Sequence, residues 1–174
     1  MFIYFDLETT GFSPLNDEII EIYLIKENLN GKIIDTFHSY FYPGITLPFR
    51  ITQITKITNE MLIFQKRFKD CASEIIKFVG DATLIGHNIN KFDLPFLNGN
   101  LSKNNFPILK NDTLDTMIMA RKKDGVSQFQ KGYKLIDLAI KYNLNFNHLK
   151  LHGAKYDTEI TRQIFHLLNK DNYD

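Results

Sequence analysis

Two acids stand one residue apart near the N-terminus, in Phe2-Ile3-Tyr4-Phe5-Asp6-Leu7-Glu8-Thr9-Thr10-Gly11. Side chains alternate between the faces of a strand, so Asp6 and Glu8 point the same way. Two carboxylates on one face repel each other. The arrangement is tolerable at a solvated strand end, or around a divalent cation that takes hard oxygen ligands. Asp157 and Asp93 are as awkwardly placed. Asp157 falls within the apolar stripe of Ile160, Ile164, Leu167 and Leu168, a full turn inside the helix expected there. Asp93 shares a helix face with Phe96, Leu97 and Leu101, although the helix dipole also favours an acid at that start. An acid in an apolar stripe is costly unless something pairs with it. Four gathered carboxylates would destabilise any fold, and a pair of hard divalent cations resolves that. Such a pair is the arrangement used for in-line attack at phosphorus. His152, five residues before Asp157, is a candidate general base in that setting, because its unperturbed pKa lies near neutrality. His87 and Asn88 read as positioning groups. His38, His148 and His166 have no such context.

The elements that must position these residues read as follows. Phe2 onwards is a strand, Ile19–Ile25 a second and Lys32–Tyr42 a third, with Asn30-Gly31 a hairpin turn. Ile51, Ile54 and Ile57 recur every third residue among β-branched neighbours, which predicts short helical turns. A short helix capped by Thr58 or Asn59 follows, through Met61 to Phe64. Phe68, Ala72, Ile75, Ile76 and Val79 predict a helix stopped by Gly80, with Cys71 packing beside the stripe. Ala82–Ile85 is a strand, and Phe92–Leu97 opens a helix with Pro95 in its first turn. Leu109–Leu114 is a strand candidate, Asp115–Arg121 and Leu135–Tyr142 are helices, and Lys122–Gly132 is a polar connection. Ala154–Leu168 is one long helix. Strands first, then helix alternating with strand, predict an α/β fold on a mixed sheet with helices on both faces. If the first strand is central, its C-terminal end is where the acids can converge.

At 174 residues the chain is expected to be one domain, 1–174. With 21 basic and 20 acidic residues, net charge points to no partner, although the total hides its distribution. A single cysteine excludes an internal disulfide and fits a reducing compartment. No signal peptide and no membrane span is expected, so the expected location is the cytoplasm.

The three segments resemble a known set of motifs. Asp6-Leu7-Glu8-Thr9-Thr10-Gly11, then Gly86-His87-Asn88 with Phe92-Asp93, then His152-Gly153-Ala154-Lys155-Tyr156-Asp157 are similar to the exonuclease motifs of the DEDDh family. This is the DnaQ-like group of the ribonuclease H-like superfamily, which includes DNA polymerase III epsilon subunits and proofreading domains. Histidine rather than tyrosine at 152 indicates the DEDDh branch. Ile54–Leu62 also resembles the family segment between the first two motifs, with Lys56 where a glycine is usual.

The resemblance implies a ribonuclease H-like five-stranded mixed sheet and a 3′→5′ exonuclease that releases nucleoside monophosphates from DNA. It implies two Mg²⁺ or Mn²⁺ ions, about 3.5–4 Å apart. Asp6 would bridge them, Glu8 and Asp157 would help hold the ion that activates the attacking water, and Asp93 would hold the other. His152 would take the proton. Leu7, Thr9, Thr10 and Gly11, with Ile57 and Met61, would line the pocket for the 3′-terminal nucleotide. His87 would help position it, with Asn88 and Phe92 flanking it. The implied partner is nucleic acid with a free 3′ end, above all single-stranded DNA, and a DNA polymerase subunit is a further candidate. Arg121-Lys122-Lys123, Lys131 and Lys134 are candidates to track phosphates, against the alternative of an ordinary solvated face. Three rival readings stay open: an exoribonuclease like oligoribonuclease or ribonuclease T, a non-catalytic nucleic-acid-binding module, and a small-molecule phosphoesterase.

Overall fold

β1 (Phe2–Thr9) is the middle strand of a five-stranded sheet of order β3-β2-β1-β4-β5. The computed structural model describes residues 1–147 and 151–170. β2 (Ile19–Glu27) pairs antiparallel with β1 and with β3 (Ile33–Tyr40). β4 (Thr83–Gly86) and β5 (Thr113–Asp115) add in parallel on the other side. The sheet is therefore mixed, as expected. The fifth strand is only three residues long, shorter than Leu109–Leu114 suggested.

Alternation along β1 divides the core. Ile3, Phe5 and Leu7 join Ile22 and Leu24 on one face, under α3 (Phe68–Val79) and α4 (Asp93–Lys103). Tyr4 joins Tyr23, Ile25 and Ile85 on the other, under α7 (Ala154–Asn169). Asp6 and Glu8 continue the Tyr4 face, so they point towards α7. α5 (Thr116–Lys123) and α6 (Leu135–Lys141) pack on α7 through Ala120, Leu138, Ala139, Ile160 and Ile164. α7 is also tied to the sheet by charge. Fully buried Glu27 pairs with Arg162, accepts from the Tyr4 hydroxyl at 2.9 Å and faces His166 Nε2 at 3.0 Å.

Along the chain between β3 and α3 come α1 (Phe49–Thr55) and α2 (Asn59–Leu62), the short helices expected there, with α2 ending two residues early; they pack in a separate cluster with Ile20 and Leu47. Lys56 ends α1 with φ 63° and ψ 5°. Glycine adopts that left-handed position without strain, which accounts for the glycine that the resemblance led one to expect there. Gly80 caps α3, also at positive φ, and Pro95 sits in the first turn of α4, as expected. Cys71 is buried and unpaired among apolar neighbours. No helix among the described residues is long and apolar enough to cross a membrane.

Candidate active site

The C-terminal end of β1 opens into a cavity of about 400 Å³ that Asp6, Glu8, Asp93, His152 and Asp157 all line. Asp6 and Glu8 meet Asp157 because α7 crosses the face they occupy. Each of these three offers a carboxylate oxygen within 4.8 Å of the others. α7 begins at Ala154, as expected, so Asp157 stands one turn into it, near enough to the helix N-terminus for the dipole to favour its charge. Asp93, first residue of α4, approaches from the opposite face of the sheet. Its Oδ1 accepts the Leu7 N–H at 3.2 Å, which ties α4 to β1 between the two acids of that strand. It borders the same cavity but stands outside the close trio.

The electrostatics follow from burial and crowding. Burial, then the charges of Asp93, Asp157, Glu8 and Glu21, holds the Asp6 carboxyl well above the usual carboxylate range. Burial, then Asp157, Glu21 and Asp93, does the same to Glu8. Burial pushes Asp93 up to about 8 against its backbone hydrogen bonds. It pushes Asp157 up to about 6 against the bond from the His152 N–H. A site that raises four carboxyl pKa values binds positive charge, whether protons or cations. Asp157 Oδ1 is buried without a hydrogen-bond partner, and a bare buried oxygen fits a ligand for a hard cation.

The remaining expected residues separate into three groups. Leu7, Thr9, Gly11, Asn88 and Phe92 line the cavity. Asn88 is held at φ 61° by its N–H, which donates to Asp115 Oδ1 at 3.0 Å. His87 also borders the cavity, yet both ring nitrogens are engaged: Nδ1 with Thr116 Oγ1 at 2.9 Å and Nε2 with the Tyr133 carbonyl at 3.0 Å. Burial pushes its pKa down to about 4, so it is a neutral brace between β4, α5 and the loop before α6. Thr10 is buried behind the cavity, donating to Asp17 Oδ1 and accepting from the Glu18 N–H. Ile57 and Met61 border a neighbouring cavity of about 530 Å³, while Ile51, Ile54 and Thr55 of α1 take the wall expected of them. The left-handed turn at Lys56 swings the chain after α1 to that side.

Sequence reasoning missed Phe12, Met117 and Leu135, which also form the wall. Phe12 is 70% exposed, with its ring centroid 6.5 Å from that of Phe92. Its signal was an aromatic residue in a turn-rich loop directly after the acids. Of the basic candidates, Lys134 alone lines the cavity, and the Arg121 guanidinium donates to the Gln130 carbonyl.

The family model described as Exonuclease (RNase T) matches residues 3–165, which holds all five candidate catalytic residues. The chain belongs to this exonuclease family. It is 34% identical over 176 residues to the DNA polymerase III PolC-type of Latilactobacillus sakei, covering 99% of this chain and 12% of that protein. It is 33% identical to the DNA polymerase III subunit epsilon of Aquifex aeolicus, covering 94% of this chain and 78% of that protein. The chain thus spans about a tenth of the PolC-type relatives it matches. Among solved structures it resembles E. coli ExoI in complex with ssDNA, with a TM-score of 0.82 at 18% identity, covering 99% of this chain and 41% of that one. It also resembles exonuclease X in complex with 5′ overhanging duplex DNA, with a TM-score of 0.70 at 20% identity, covering 100% and 94%. The three motifs therefore identified a DnaQ-like exonuclease, and the ribonuclease H-like fold expected from them is the one observed.

Proposed function

We propose that this exonuclease is a divalent-metal-dependent 3′→5′ enzyme that removes nucleoside monophosphates from DNA. The observation that carries the proposal is the Asp6–Glu8–Asp157 trio, which shares one cavity with His152 and leaves Asp157 Oδ1 without a donor. Asp6, Glu8 and Asp157 would hold Mg²⁺ or Mn²⁺, and Asp93, on the same cavity, would help hold a second ion. Cations bound there supply Lewis acidity and offset the charge that builds on the scissile phosphate.

The chain's own groups do the rest. An unprotonated ring nitrogen of His152 takes a proton from the attacking water. The new bond forms at phosphorus, the bond to the 3′ oxygen of the preceding nucleotide breaks, and that oxygen takes up a proton. Phe12 and Phe92 offer apolar faces to the terminal base, a form of contact that tolerates any sequence. Lys134 faces the phosphate side as the one lysine or arginine among the described lining residues. The PolC-type and epsilon relatives support DNA as substrate and a polymerase as partner, in proofreading.

The test is digestion of end-labelled single-stranded DNA, duplex DNA and RNA of one sequence, with Mn²⁺ and with EDTA. The expected result is Mn²⁺-dependent loss of 3′ nucleotides from DNA, fastest on single strands. Preferential RNA digestion would replace DNA by RNA as the substrate. Cleavage only of mononucleotide esters, or none, would overturn the proposal.

A further inference from the structure

A fifth carboxylate lies beside the four. Glu21 on β2 stands directly opposite Glu8 in the antiparallel pair, on the face that α7 covers, and is 3% exposed. Like charges directly opposite each other on a sheet are destabilising, so this is a poor place for an acid unless its oxygens are used. Both are. Oε1 faces His38 Nε2 at 2.8 Å, and Oε2 accepts the Ala154 N–H at 3.1 Å. The Tyr40 hydroxyl lies near Glu21, and burial with that charge pushes its pKa up to about 12.

The bond to Ala154 matters most. Ala154 is the first residue of α7, and its N–H is one of the donors that a helix leaves unsatisfied at its start. The preceding Gly153 has no side chain to cap it, so the cap comes from a residue 133 positions away on a strand. One turn on is Asp157, whose Oδ2 accepts the His152 N–H at 3.2 Å. The register of α7's first turn against β2 therefore sets where Asp157 and His152 stand relative to Asp6 and Glu8.

We propose that Glu21 is a positioning residue for the metal centre, capping α7 from β2 so that Asp157 and His152 meet Asp6 and Glu8. His38 on β3 holds its carboxylate in place. The inference rests on the reading of the acids as metal ligands. Partners that orient ligands without touching the metal typically contribute about 10–100-fold to affinity or rate.

The test compares Glu21→Met, Glu21→Gln and Ala154→Pro with the unaltered protein. Met keeps the length of the side chain and offers no acceptor, whereas Gln keeps an acceptor oxygen. Proline fits the backbone of a helix's first position, so Ala154→Pro removes the donor and leaves Glu21 in place; it also adds ring atoms at a fully buried position, whose cost its melting curve reads, and it serves if Glu21→Met does not fold. Calorimetry with Mn²⁺ alone reads metal affinity without any turnover, and single-turnover cleavage reads rate. Expected is a loss of about 10–100-fold in Mn²⁺ affinity for Glu21→Met and Ala154→Pro, with kcat falling and KM for the oligonucleotide unchanged. Glu21→Gln is expected to bind Mn²⁺ as the unaltered protein does. Unchanged Mn²⁺ affinity with only a lower melting temperature would show Glu21 to be structural and overturn the inference. So would a Glu21→Gln protein as impaired as Glu21→Met. An unaltered protein that binds no Mn²⁺ would instead overturn the metal reading beneath it.

Discussion

The backbone N–H of His152 donates to Asp157 Oδ2 at 3.2 Å, so the candidate base and a candidate ligand are joined through the main chain. His152 has φ 65°, a left-handed position that a non-glycine residue adopts only at some cost in strain. The strain sits where the segment turns into α7 and sets the imidazole on the cavity wall, beside the trio. Asp157 keeps its other oxygen free of any donor.

Replacing Asp157 by Ala is expected to abolish digestion while the protein remains folded, because the deleted oxygen is unsatisfied and its charge repelled. Activity per folded molecule in the presence of Mn²⁺, together with a far-ultraviolet spectrum, checks this. Near-normal digestion by the folded variant would remove Asp157 from the site.

For His152→Ala the expected loss is about 10²–10⁴-fold in single-turnover rate, with Mn²⁺ affinity kept. A variant with an unchanged rate and a lower melting point would make His152 a structural residue.

The residues legible in the sequence were those whose setting was local. Asp6 and Glu8 showed through the two-residue period of β1, and Asp157 through its apolar stripe. Glu21 was invisible for a matching reason: an acid alternating with Ile20 and Ile22 reads as the solvent side of a strand. Only α7, arriving from 133 residues away, buries it. Ile57 and Met61, named from the resemblance, lie past the left-handed turn at Lys56 and border the neighbouring cavity, a turn that no periodicity of the sequence reveals. Thr116 and Tyr133, which engage both nitrogens of His87, are far from it in sequence and carried no motif.

Lys134→Met should raise KM for an oligonucleotide and leave kcat nearly unchanged, because the lysine meets phosphate rather than the reacting atoms. The slope of log affinity against log salt should shrink by about 1. An unchanged slope would return Lys134 to the solvated face.

Lys56→Gly should stabilise the protein. Lys56 holds φ 63°, which costs a side-chain-bearing residue about 1 kcal/mol relative to glycine. In a domain of this size that corresponds to a rise of about 2–4 °C in melting temperature. The bond from Lys56 Nζ to the Gln53 carbonyl is exposed and offsets little of it. A lower melting temperature would mean that this bond outweighs the backbone strain.

The carboxyl cluster should make the metal-free protein less stable as pH rises. Unfolded Asp and Glu titrate at about 3.9 and 4.3. In the folded chain Asp157 is pushed up to about 6 and Asp93 to about 8, and Asp6 and Glu8 are raised as well. Between the unfolded and folded values the native state holds more protons than the unfolded state. The slope of unfolding free energy against pH is then negative. Below about 4 the groups are protonated in both states and their repulsion is absent. As pH rises through the Asp157 and Asp93 values, each ionisation adds to the penalty. Melting curves in EDTA should therefore fall from pH 5 to pH 8. Asp6→Asn, which removes one charge and relieves its neighbours, should fall less steeply. Adding Mn²⁺ at pH 8 should raise the melting temperature of the unaltered protein, because the ion binds the native state. It should raise that of Asp6→Asn much less. Parallel slopes for the two proteins in EDTA would show that the four carboxylates do not share one electrostatic site.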